Sequence, residues 1–190
     1  LVQDQGVHAV TFHCIELLKL CKKQNFKNVL IHAFTDGRDT PPKSAKKYLG
    51  ELQKAINKIG IGKIATVCGR YFSMDRDKRW NRTKLAYNML VNCKGEKVNS
   101  WKQALKLAYK KGETDEFIKP KVIGDFKGIQ DNDSVIFFNY RLDRPRQLTH
   151  VFLDKRFSRF KRVKRNVFFV AFSEYYKGCL LYTSDAADEL

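Results

Sequence analysis

Four short runs of nearly continuous apolar residues, at 28–34, 63–68, 134–139 and 166–172, place the tightest limits on how this chain can fold. A half-exposed strand alternates apolar and polar side chains, so an unbroken run of this length reads as a strand covered on both faces. Between the runs, apolar positions recur at helical spacing. Val7, Val10, Ile15, Leu17, Leu18 and Cys21 mark a helix over 7–22 that ends in Lys22 and Lys23. Ala45, Tyr48, Leu49, Leu52, Ala55 and Ile56 mark another over 43–58, with Gly60 placed to cap it. Two more helices are predicted over 82–91 and 99–111, the second with Asn99 or Ser100 as its N-cap. Residues 70–80 read as a polar loop. Strands alternating with amphipathic helices imply an α/β fold, its sheet mainly parallel and covered by helices on both faces.

The chain has 190 residues, 43% of them hydrophobic and 13% aromatic, enough to bury a core and too apolar for disorder. No run approaches the roughly 20 apolar residues of a membrane-spanning helix, and Leu1 to Asp4 do not begin a secretory leader, so no membrane partner and a cytoplasmic location are expected. The five cysteines include no C-x-x-C pair, so neither a disulfide framework nor a zinc site is expected. Residues 179–190 contain no Lys or Arg in a strongly basic chain. They read as a non-native tail and are set aside, which leaves 1–178 as one domain.

Lys and Arg number 37 against 20 Asp and Glu, a net charge of +17 that would attract polyanions, acidic membrane surfaces or small anionic substrates. Charge alone does not choose among them, but position narrows the field. The polar segments after the strands and around the first helix hold Asp4, His8, Asp36, Arg38, Asp39, Arg70, Asp75, Arg76, Arg141, Asp143 and Arg144. Five of these are arginines, whereas lysine dominates the predicted helices. A guanidinium grips carboxylate or phosphate through paired hydrogen bonds, each worth about 1.5–3 kcal/mol where charge-assisted. Taken singly, each has an ordinary explanation: DGRD is a common turn, and lone arginines or His8, His13, His32 and His150 are usually surface or bracing residues. Recurrence at successive strand ends points instead to recognition of a small, doubly charged anion.

Three blocks carry a family resemblance: HAFTDGRDTPP at 32–42, GRYFSMDRDKRW at 69–80 and FNYRLDRPRQL at 138–148, followed by FSEY at 172–175. In order and content they resemble the signature blocks of the cofactor-independent phosphoglycerate mutases, and the span from Leu1 to about Gly178 resembles that family's substrate-binding insert domain. The resemblance implies a fragment of an isomerase that interconverts 3-phosphoglycerate and 2-phosphoglycerate in glycolysis and gluconeogenesis through a phosphoserine intermediate. It further implies a monomeric parent, whose other domain, of alkaline-phosphatase type, holds the nucleophilic serine and two manganese ions. Neither the serine nor the metal ligands have counterparts here, so the fragment is expected to bind no metal and to be inactive alone. The family's substrate contacts fall on His8, Arg38, Asp39, Arg70, Arg76, Arg141 and Arg144, with Asp39 as the catalytic, proton-transferring residue. Near His8 the chain departs from the family: QDQGVHAV stands at 3–10 where SDGGVHSH is usual.

A different class of function, a basic nucleic-acid-binding module, is suggested by residues 141–165, where ten Lys and Arg face Asp143 and Asp154 and where Phe157 and Phe160 are available to stack on bases. The plainer reading of 156–165 is a solvated helix face.

Overall fold

The computed structural model describes residues 1–177. The predicted non-native tail, 179–190, therefore lies outside the described residues.

In chain order the elements are α1 (Thr11–Lys23), β1 (Leu30–Thr35), α2 (Ala45–Ile59), β2 (Lys63–Gly69), a short α3 (Arg70–Ser73), α4 (Trp80–Asn92), β3 (Glu96–Val98), α5 (Trp101–Lys110), a 3₁₀ turn (Asp115–Phe117), β4 (Lys121–Ile123), β5 (Ser134–Phe137), α6 (Pro145–Leu153) and β6 (Phe168–Ala171). The four apolar runs become β1, β2, β5 and β6. Ser100 caps α5 by accepting from the Gln103 amide, and Gly60 ends α2 with a left-handed φ of 79°.

Strands β1 and β2 pair in parallel, as do β3 with β4 and β5 with β6, while β2 pairs antiparallel with β4. The strands form a four-stranded sheet of order β1-β2-β4-β3 and a separate β5-β6 pair. The mainly parallel character expected from sequence is present, with an antiparallel step and a split into two sheets that the sequence did not announce. Helices cover both faces. The β1–β2 register slips by one residue at Ala65, a bulge that lets Ile64 and Val67, three apart, face the same side, against Leu18 of α1, Leu49 and Leu52 of α2 and Leu105 of α5. Ala65 and Cys68 point the other way, into a core built from Met89 and Leu90 of α4, Val151 and Phe152 of α6, and Phe137 and Phe169 of the β5-β6 pair.

Helix α1 starts at Thr11 rather than at residue 7, because Gln3 organises the preceding loop. Its carbonyl accepts from both the Thr11 amide and hydroxyl, and its side-chain amide donates to the Ala9 carbonyl at 2.6 Å. Residues 154–167 form no helix. There the Arg162 guanidinium binds the Val151, Phe152 and Asp154 carbonyls at the end of α6, while Phe157 and Phe160 pack on Trp80 and Tyr87. The two phenylalanines are thus half-buried against other rings rather than free to stack on bases.

Leu52 is fully buried between α2 and the sheet. Leu52→Ala is expected to lower stability by about 2–5 kcal/mol, read as a drop in urea midpoint at unchanged slope. The same truncation at the exposed Leu85 should cost about 0.5 kcal/mol or less.

Candidate functional site

The C-terminal ends of β1 and β2 lie side by side, with Thr35 paired to Gly69, so the segments that follow them, residues 36–42 and 70–80, leave the sheet together. Both are pressed onto the 3₁₀ turn at 115–117. Thr35 Oγ1 donates to the Asp115 carbonyl, and the Gly69 amide to the Ile118 carbonyl, each at 2.7 Å. Gly37 has φ 72°, and a Cβ there would stand 2.7 Å from the Glu116 nitrogen; a Cβ on Gly69 would collide with the Glu116 carbonyl. Glycine is required at both places. Below them, the Asp115 carboxylate accepts from the Ala45 amide at the start of α2 and from the Tyr109 hydroxyl. Burial raises the Asp115 pKa despite these bonds.

On this platform stands Arg70, 2% exposed, whose Nη1 donates to Asp36 Oδ1 at 2.7 Å and to Asp39 Oδ2 at 2.5 Å. Asp36 is itself aimed by the turn it closes, accepting from the Arg38 and Asp39 amides. Burial opposes the Arg70 charge, but the two carboxylates outweigh it and its pKa is raised. For Asp39 burial favours the protonated form, while the Arg70 bond and charge pull harder the other way, so its pKa falls below the usual carboxylate range.

His8 lies between two carboxylates, Nε2 at 3.8 Å from Asp39 Oδ2 and Nδ1 at 3.7 Å from Asp143 Oδ1. Neither distance is a hydrogen bond, and Nδ1 has no hydrogen-bond partner among the described residues. Burial first, and then the Arg70 charge, lower the His8 pKa to about 4, so the ring is neutral at pH 7. The His8 carbonyl accepts from the Tyr140 amide at 2.9 Å, which fastens this loop to the segment after β5. That segment brings Asp143, bonded to the Arg76 guanidinium and 3.4 Å from Arg141 Nε, and Arg144, which donates to the Met74 carbonyl at 3.0 Å. Desolvation, followed by the charges of Arg70, Arg76 and Arg38, depresses the Arg144 pKa. Arg144 Nε is buried with no hydrogen-bond partner among the described residues.

All seven predicted site residues therefore meet at one place. Arg38, 56% exposed, marks the rim, held by Glu116 at 3.3 Å. Of the other acids picked out by position, Asp36 and Asp143 join the cluster. Asp75 braces the 74–80 loop, accepting from the Asp77 and Arg79 amides and from Gln147 of α6. Asp4 points elsewhere, to Tyr48 and Lys47. Sequence reasoning missed Asp115 and Glu116; their only signal is an acidic pair before an apolar residue. Around His8, Gln3 holds the loop in place through its own hydrogen bonds, so the departures at residues 3, 5, 9 and 10 leave His8 at the cluster. Among the described residues no three His, Cys, Asp or Glu side chains are grouped to hold a metal. The acids here are committed to arginines, and this donor set does not fit a manganese pair.

A family model described as "BPG-independent PGAM N-terminus" matches residues 1–177. The chain belongs to that family. It is 52% identical over 179 residues to a 2,3-bisphosphoglycerate-independent phosphoglycerate mutase of Clostridium kluyveri, covering 92% of this chain and 35% of that protein. A Methanosarcina barkeri enzyme of the same name is 50% identical over 182 residues, with the same coverage. A crystal structure of Leishmania mexicana phosphoglycerate mutase superposes with a TM-score of 0.86 at 27% identity, covering 90% of this chain and 34% of that one. The chain thus spans about a third of the length of these relatives. They lend no support to the nucleic-acid-binding alternative. No helix among the described residues is long and apolar enough to cross a membrane.

With a folded pKa of about 4 against 6.5 for an unperturbed histidine, folded His8 refuses a proton that the unfolded chain accepts. Its contribution to stability is complete above pH 6.5 and is lost as the pH falls towards 4. Urea midpoints of His8→Asn should therefore fall less steeply than those of the unaltered chain across this window, and the His8 ring resonances should titrate near pH 4.

Proposed function

We propose that this chain is the substrate-binding part of a phosphoglycerate mutase that interconverts 3-phosphoglycerate and 2-phosphoglycerate, a step of glycolysis and gluconeogenesis, in the cytoplasm. The observation that carries the proposal is the cluster itself. Five guanidinium groups face four carboxylates, those of Asp36, Asp39, Glu116 and Asp143, and among the described residues the Arg144 guanidinium is left with a carbonyl partner alone, its pKa lowered by burial and then by like charges. An anion arriving there relieves the repulsion that the fold sustains.

Arg141 and Arg144 grip the phosphoryl group, and Arg76 clamps the carboxylate. Arg70 contributes from beneath, because its Nη1 already holds Asp39. Arg38 and Asp39 hold the glycerate hydroxyls. Asp39 Oδ2 is fixed by Arg70, which leaves Oδ1 to take and return a hydroxyl proton as the phosphoryl group changes position. Neutral His8 presents an unpartnered Nδ1 beside Asp143, where it orients the phosphoryl group through a hydrogen bond. The metal ions and the serine that carries the phosphoryl group are assigned to the part of the parent that lies outside this chain, and the parent is taken to act as a monomer on this small-molecule substrate. The serine accepts the phosphoryl group, and the arginines keep glycerate from escaping while it turns in a closed site.

Calorimetric titration of 3-phosphoglycerate into the chain tests the proposal. Arg144→Ala should weaken binding by about tenfold to a hundredfold, the loss of one charge-assisted contact; unchanged affinity would refute the cage. In the full-length parent, Asp39→Asn should abolish most turnover while leaving 3-phosphoglycerate affinity within about tenfold, and near-normal turnover would remove Asp39 from proton transfer.

A further inference from the structure

Beside the cluster a groove of about 470 Å³ runs between the start of α4 and the exposed side of α6. Arg76, Lys78, Arg146, Arg156 and Arg159 line it, against the carboxylates of Asp143 and Asp154. Only Arg76 of these cations has an acidic partner among the described residues, and that partner is Asp143. The other four, without an ion pair among the described residues, repel one another across one concavity.

Hydrogen bonds brace the wall formed by α6. Buried Gln147 is one brace, accepting from the Lys78 amide and donating to Asp75 and Thr83. Arg146 is anchored by its Nε to the Tyr175 carbonyl at 2.6 Å, so its guanidinium has little freedom left to lose on binding. Trp80 and Phe157 meet edge to face, their ring centroids 5.3 Å apart, and form an apolar wall.

We propose that this groove is a second anion site, taking a small molecule with two or more phosphoryl groups, and that Arg76 couples it to the neighbouring cluster. Size and charge set the ligand class. The volume is that of a small-molecule pocket, larger than one phosphate fills, and the excess of positive charge matches a polyanion. Arg76 lines the groove and also bonds Asp143, which stands 3.7 Å from His8. An anion that draws Arg76 into the groove leaves Asp143 without that partner and changes the charge around His8.

Calorimetry with tripolyphosphate at physiological salt tests the site on the intact chain. Binding at one site is expected, weakened by about tenfold or more in the Arg156→Ala/Arg159→Ala double variant. Those side chains are exposed and lie outside the cluster, so 3-phosphoglycerate affinity should be the same in that variant. Equal tripolyphosphate affinity in the double variant, or binding lost in Arg144→Ala instead, would overturn the site. Saturating tripolyphosphate should shift 3-phosphoglycerate affinity severalfold in the unaltered chain and leave the double variant unmoved; no shift in the unaltered chain would overturn the coupling. Because tripolyphosphate is measured without the glycerate, failure of this site is distinguishable from failure of the cage.

Discussion

The buried guanidinium of Arg70 fixes the rest of the site. Taking such a charge out of water is costly, and its carboxylate partners offset that cost only if their geometry is held from elsewhere. Here it is held by backbone. Asp36 is oriented by the turn it closes, Asp39 follows within the same turn, and both descend from β1, whose end is paired in register with the end of β2 that launches Arg70. The ion triad therefore locks two loops to each other. Leaving one charge of a buried pair unpaired typically costs about 3–5 kcal/mol, which gives the two loops a reason to move together or not at all.

Order spreads outward from that lock by successive weaker ties. Asp39 reaches towards His8 at a distance too long for a hydrogen bond, and His8 in turn holds the segment after β5 through its carbonyl, bringing Asp143 and Arg144 into range. Pairing is tight at the base and loose at the mouth: Arg70 is 2% exposed, Arg76 44% and Arg141 48%. Solvent-exposed pairs of the latter kind exchange partners at little cost. A site graded in this way is rigid where it must aim a carboxylate and adaptable where an anion enters.

Much of this was legible in the sequence, because the features that specify it are local. The runs at 28–34 and 63–68 are almost continuously apolar, as strands covered on both faces tend to be, and the polar residues after them fall at strand ends by chain order alone. β3 and β4 were not legible. Each has three residues, and β4 begins with Lys121, a residue that reads as surface yet is 1% exposed with its ammonium 2.6 Å from Glu96. Only the tertiary partner explains a lysine there. Helix α6 was hidden by Arg144, Pro145 and Arg146, which look like a loop although proline suits a first helical turn. Asp115 was invisible for another reason: its role is to cap α2 from 70 residues away, and no periodicity encodes that.

The same distinction between local and distant causes bears on the charge of +17. As a bulk property it attracts any polyanion, and a nucleic-acid module was a fair reading of it. Location decides otherwise. Phe157 and Phe160, which would have to lie open for bases to stack, are packed against Trp80 and Tyr87, and Arg162 is spent on the carbonyls that end α6. The basic stretch is thus partly structural, an arginine staple closing a helix whose other end carries Arg144. Of the charge that remains uncompensated, the part beside α6 lies on concave ground, where shape as well as sign limits what can bind. Net charge brings an anion near, but the positions of a few guanidinium groups, set by backbone hydrogen bonds far apart in the chain, determine which anion stays.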